Sequence, residues 1–143
     1  AAWEYWTGDN WSNKIDDVQP QGLGGPELSV TPMPDGNVLA GKYLLISKHV
    51  RTDLYYRVGD SPHGPFGPPH RFYATNEEEK YLYPSYTYNA KAHPHLSTKD
   101  ALLVSYNVNC PERVFQEGDI YRPRFVWLKF TGGAGDVGAQ ARR

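Results

Sequence analysis

Glycine and proline interrupt this chain every few residues: fourteen Gly and twelve Pro are spread over 143 positions. No stretch between them carries apolar residues at i, i+3, i+4 and i+7 for long enough to build an amphipathic helix. Short runs of β-branched and aromatic residues fill the gaps instead, which is the signature of strands joined by tight turns. The runs are Trp3 to Thr7, Leu28 to Thr31, Tyr43 to Lys48, Leu54 to Val58, Arg71 to Ala74, Ala92 to Leu96, Leu102 to Asn107 and Arg124 to Phe130. Asn10, Asp35-Gly36 and Gly132-Gly133 offer the positive φ that tight turns require. The class is therefore all-β, and a chain of this length forms one folding unit.

Composition narrows the function. Twenty aromatic side chains, four Trp, eleven Tyr and five Phe, exclude a disordered tail or linker. Fifteen Lys and Arg against sixteen Asp and Glu give a net charge of −1. With no basic stripe to release counterions from a phosphate backbone, a nucleic-acid partner is not expected. Apolar runs such as Tyr43-Leu-Leu-Ile46 fall far short of the ~20 residues that cross a bilayer, so no membrane partner is expected. One cysteine, Cys110, allows no internal disulfide and no CxxC metal site, and reads as a structural thiol. Asn10-Trp11-Ser12 matches the N-glycosylation pattern, which matters only in a secreted eukaryotic protein. There is no GxSxG elbow, P-loop or GxGxxG, and no metal or cofactor is expected.

An internal repeat organises the strands. Leu28-Ser-Val-Thr-Pro32, Asp35-Gly36 and Tyr43-Leu-Leu-Ile-Ser-Lys48 align with Ala90-Lys-Ala-His-Pro94, Thr98-Lys-Asp100 and Leu102-Leu-Val-Ser-Tyr106. Each copy reads as inner strand, proline, polar turn and apolar second strand, and continues into an aromatic third strand, Leu54-Tyr-Tyr-Arg57 or Phe125-Val-Trp-Leu128. Repeats at such spacing belong to arrays of small sheets, propellers among them. A simple duplicated sandwich is the alternative.

Ser61-Pro-His-Gly-Pro-Phe66, with Tyr55-Tyr-Arg-Val-Gly-Asp60 before it, resembles the turn after the third blade strand of five-bladed glycosidase propellers. Tyr88 to His95, Leu103 to Asn109 and Ile120 to Phe125 are similar to the final blades of secreted bacterial and fungal propellers in a domain-of-unknown-function group related to endo-D-arabinanases. That group sits beside glycoside hydrolase families forty-three and thirty-two. The resemblance spans about residues 26 to 130. It implies antiparallel four-stranded blades of a five-bladed β-propeller, of which this chain holds a partial ring. Residues 1–25 would be the outer strand and linker of a preceding blade, 26–75 a first blade, 76–130 a second, and 131–143 a flexible tail.

It also implies a secreted, carbohydrate-active protein that hydrolyses a furanoside-containing polysaccharide such as arabinan. The partners would be a poly- or oligosaccharide and a further copy or companion chain that completes the ring. A non-catalytic glycan-binding propeller and a structural module that assembles with other chains are the alternatives.

Inner blade strands line the channel of a propeller, which singles out 27–31 and 89–93. Glycoside hydrolysis needs two carboxyl groups, and Glu27 is the one carboxylate placed on these strands, unless it is an ordinary strand-start residue. His93 is the second catalytic candidate, or a satisfied structural histidine. His95, two positions on, would share its face on a strand, although Pro94 between them can bend it. Tyr86, Tyr88, Asn89 and Lys91 crowd the approach to that strand, and Tyr106, Asn107 and Asn109 crowd its neighbour. Aromatic faces beside amides suit sugar rings, though the same aromatics also pack well in sheets. Arg122 and Arg124 could bind a carboxylate or make salt links at a sheet edge, and Asn76 to Lys80 reads as a solvated acidic loop.

Overall fold

The computed structural model describes residues 2–20, 25, 27–49, 53–77, 85–111, 118–132 and, for the backbone, 138–142. Two four-stranded antiparallel sheets dominate it. In chain order the strands are β1 (Tyr5–Trp6), β2 (Trp11–Ser12), β3 (Leu28–Pro32), β4 (Tyr43–His49), β5 (Asp53–Gly59), β6 (His70–Ala74), β7 (Tyr86–Ala92), β8 (Ala101–Asn109), β9 (Arg124–Thr131) and β10 (Gly138–Arg142). The first sheet runs β3-β4-β5-β6 and the second β7-β8-β9-β10, each strand pairing with its neighbour in sequence. A two-residue hairpin, β1 with β2, precedes them.

Alternation builds the core. Successive strand residues point to opposite faces, so Leu44 and Ile46 of β4, Leu54 and Tyr56 of β5, and Phe72 of β6 share one face of the first sheet. Leu102, Val104, Tyr106 and Val108 of β8, with Val126, Leu128 and Phe130 of β9, share the facing side of the second. These two faces close on each other in one core, which also takes in Met33, Ala90, Ile120 and the buried thiol of Cys110. The opposite face of the second sheet stays partly open: Phe125 is 47% exposed on β9, and Leu103, Ser105, Asn107 and Asn109 of β8 are half-buried.

The repeat is real at the level of elements, since β4 and β8, then β5 and β9, fall on the aligned segments. Three hydrogen bonds join equivalent places across it. Asn37 Nδ2 donates to Lys99 O, joining the two polar turns. The Asn89 and Ala92 amides donate to Glu27 Oε2 (2.7 Å) and Ser29 Oγ (2.8 Å). All three span 62 or 63 residues.

Several expectations change. The strand placed at Ala92 to Leu96 lies earlier, at Tyr86–Ala92, and residues 94–96 form a 3-10 turn. Pro94 has no amide hydrogen for a ladder and opens that turn. Residues 138–142, expected in the tail, form β10 against β9. Their pairing uses main-chain groups, so a Gly-Ala-Gln-Ala-Arg sequence with little to bury can still add a strand. Gly36 and Gly132 do have positive φ, but Asn10 does not; Gly8 supplies it in that turn, and Gly133 lies outside the described residues.

Candidate functional site

Tyr86 faces Asn109, and Tyr88 faces Asn107, as direct cross-strand partners between β7 and β8. Four residues expected to bind substrate are thus brought together by register alone. Asn109 Nδ2 donates to the Tyr86 phenol oxygen at 3.0 Å, and the Tyr86 and Tyr88 rings lie 5.8 Å apart. The 120–123 segment before β9 closes the far side: Tyr88, Asn107, Tyr121, Arg122 and Pro123 line a cavity of about 100 Å³.

The Tyr88 phenol is bonded to Tyr121 and Asn107. Desolvation, followed by the bond to Tyr121, raises its pKa to about 12, so it keeps its proton and its donor capacity. The Arg122 Nε pairs with Asp119 Oδ1 at 2.6 Å, which balances the one cation in the wall. Tyr121, 60% exposed, was not legible as a site residue because its segment belongs to no strand and meets Tyr88 only through the fold.

The other candidates are held differently. Asn89 sits in a bulge: the β7–β8 register shifts between Tyr88 and Lys91, and Asn89 has φ 56°, the left-handed region that Asn tolerates. The Glu27 carboxylate accepts the Asn89 amide there, so it completes the bulge and joins β3 to β7. Lys91 is exposed, opposite Ser105. His93 Nε2 is hydrogen-bonded to Ser105 Oγ at 2.7 Å, and its ring lies 6.2 Å from Phe125. Burial, and then the nearby His95, lower its pKa. His95 is exposed on the 3-10 turn, its ring 6.0 Å from that of His93 and at 77° to it, so the two do not share one strand face.

Tyr106 requires correction. It is fully buried in the core, on the opposite face from Asn107, and its phenol donates to Glu77 Oε1 at 3.0 Å. Glu77 corrects the acidic-loop expectation too: only 2% exposed, it pairs with Arg124 Nε at 3.2 Å. Residues 78–80 of that loop lie outside the described residues. Arg124, 7% exposed, also donates to the carbonyls of Asp119, Ile120 and Arg122. It is the salt link foreseen for it, made in the core and anchoring the 119–122 segment beneath the Tyr88 cavity.

Among the described residues, no three His, Cys, Asp or Glu side chains gather as a metal site, and no helix is long and apolar enough to cross a membrane. No curated protein matches this chain. Residues 1–130, which include both sheets up to the end of the β9 core and every residue of the Tyr88 site, match the model of the family described as Domain of unknown function (DUF5005), and the chain belongs to that family.

Proposed function

We propose that the chain forms two adjacent blades of a five-bladed β-propeller that binds a furanoside-containing glycan such as arabinan at the Tyr88 cavity. The observation that carries the binding reading is the cavity lined by Tyr88, Asn107, Tyr121 and Arg122, with the Tyr86–Asn109 pair beside it on the same two strands. It offers aromatic surface to the apolar C–H faces of a sugar and amide, phenol and guanidinium groups to its hydroxyls. The propeller reading is supported by the two four-stranded meanders, by β3 lying against β7, and by β6 lying against β10.

Titration of arabino-oligosaccharides by calorimetry tests this. Y88A and N107A should each weaken binding about tenfold, the equivalent of ~1.4 kcal/mol. Equal affinity in wild type and both variants would remove the cavity as the site.

Hydrolysis is the second reading, favoured by the position of Glu27 at the start of an inner strand. A carboxyl there would protonate the leaving oxygen or activate water, with a second carboxyl as its partner. Glu27 is bound to the Asn89 amide, which makes glycan binding the better supported of the two. If Glu27 acts in turnover, E27Q abolishes reducing-end release from arabinan while oligosaccharide binding persists. Release at the wild-type rate would exclude Glu27 from the mechanism.

A further inference from the structure

A second cleft lies at the opposite end of the sequence, between the β1–β2 hairpin and the 61–67 turn. Its volume is about 340 Å³, and Trp6, Gly8, Gln19, Pro20, Pro65 and Phe66 line it. We propose that it binds one uncharged sugar ring of a polysaccharide, independently of the Tyr88 cavity; the ligand class, though not the site, rests on the glycan reading above.

The walls are built rather than incidental. Gly59 lets Phe66 lie on the backbone of β5, since a Cβ at that position would stand 2.8 Å from the Phe66 ring. Gly59 also makes an isolated bridge to Phe66, and the Gly67 amide donates to Val58 O at 2.8 Å, so the aromatic wall is fixed by main-chain bonds. Across the cleft, the Gln19 amide donates to Trp6 O at 2.8 Å, which brings the returning chain alongside β1. Gly8 has φ 107° and a Cβ there would meet the Gln19 side chain at 3.3 Å, so glycine keeps that wall close. Trp6 is itself locked: the His63 ring lies against it, tilted by 31° with centroids 3.8 Å apart, and Trp11 meets it edge-on at 5.2 Å.

The chemistry selects the ligand. None of the six lining residues carries an ionisable side chain, so a charged ligand would lose its hydration without gaining a counter-charge. Rigid aromatic and proline surfaces with one amide side chain suit a ring with apolar faces and a hydroxylated rim. A proline-rich peptide, extended at ~3.1 Å per residue, would need a long groove rather than one compact hollow.

Indole NMR of the ¹⁵N-labelled protein tests this, because Trp6 reports on the cleft while Trp127, on β9 of the other sheet, serves as the fold control. Arabinotriose, xylotriose and cellotriose are titrated, with trigalacturonate and a proline decapeptide as rivals. At least one neutral trisaccharide should shift the Trp6 indole saturably, and neither rival should. The exposed substitution P20E should weaken that response at least tenfold with the Trp127 signal in place, and Y88A should leave it unchanged. Failure of every neutral sugar to move Trp6, a response that P20E does not alter, or a saturable shift by either rival overturns the proposal. Loss of the Trp6 response in Y88A overturns its independence, whereas a Trp6 response with no effect of Y88A on overall affinity would sink the Tyr88 site and leave this one standing.

Discussion

Glu77 and Arg124 show how much one buried pair can govern. Both charges are out of water, and the Tyr106 phenol supplies a further hydrogen bond to the same carboxylate oxygen. Removing one partner leaves the other charge uncompensated, which costs about 3–5 kcal/mol. E77Q is therefore expected to lower unfolding stability by that order in urea titrations, while Y106F, which removes one hydrogen bond, costs about 1 kcal/mol. A loss below ~1 kcal/mol for E77Q would mean that the pair contributes no more than a surface one. His93 sets a pH dependence of definite sign. Its pKa is lowered from 6.5 in the folded protein, so the unfolded chain binds this proton more tightly. The stability it contributes is fully present above pH 6.5 and is lost as pH falls through the folded value. Denaturant melts between pH 7.5 and 5 should show a steeper decline for wild type than for H93Q; parallel curves would remove His93 as the cause.

At the scale of elements, the interest lies in the first strand of the second sheet. An edge strand exposes amide groups on its unpaired side, and β3 meets two of these on β7 with Glu27 and Ser29. S29A takes the acceptor from the Ala92 amide and is expected to cost about 1–3 kcal/mol, with faster hydrogen exchange at Ala92 as the local readout. Unchanged exchange there would show that the amide finds another acceptor. The same strand explains the misplaced boundary. Its bulge at Asn89 breaks the period-two pattern, so alternation does not mark Tyr86–Ala92, while the apolar Ala92 and Leu96 draw the strand too far along. Asn107 and Asn109 share a face because alternation runs intact through β8, and for the same reason Tyr106, expected beside them, does not.

At the scale of the whole molecule, the described residues form two four-stranded sheets around one core with the β1–β2 hairpin before them, and one face of the second sheet is left partly uncovered. If these are two blades of five, that face meets further polypeptide, and a second copy of these 143 residues can supply it. Light scattering should then give a native mass well above 16.2 kDa, and F125E, which puts a charge on the face without touching the core, should shift it downward. A monomer of 16 kDa at high concentration would show that a second copy of this chain does not cover the face.

The all-β class, the strands of the first sheet and the twofold repeat were readable from the residues alone. They depend on alternation and turn chemistry, which act within a few positions of the chain. The fate of the polar residues was not. Tyr106 and Asn107 are adjacent in sequence, yet one is bound to Glu77 in the core and the other lines the cavity, because a sheet sends neighbours to opposite faces and only docking decides which face is covered. Glu27 meets Asn89 across 62 residues, and the cleft gathers Trp6, Gln19 and Phe66 from three separate segments. Such meetings follow from how the sheets and the hairpin pack, a long-range balance of burial and hydrogen bonding that no local pattern encodes.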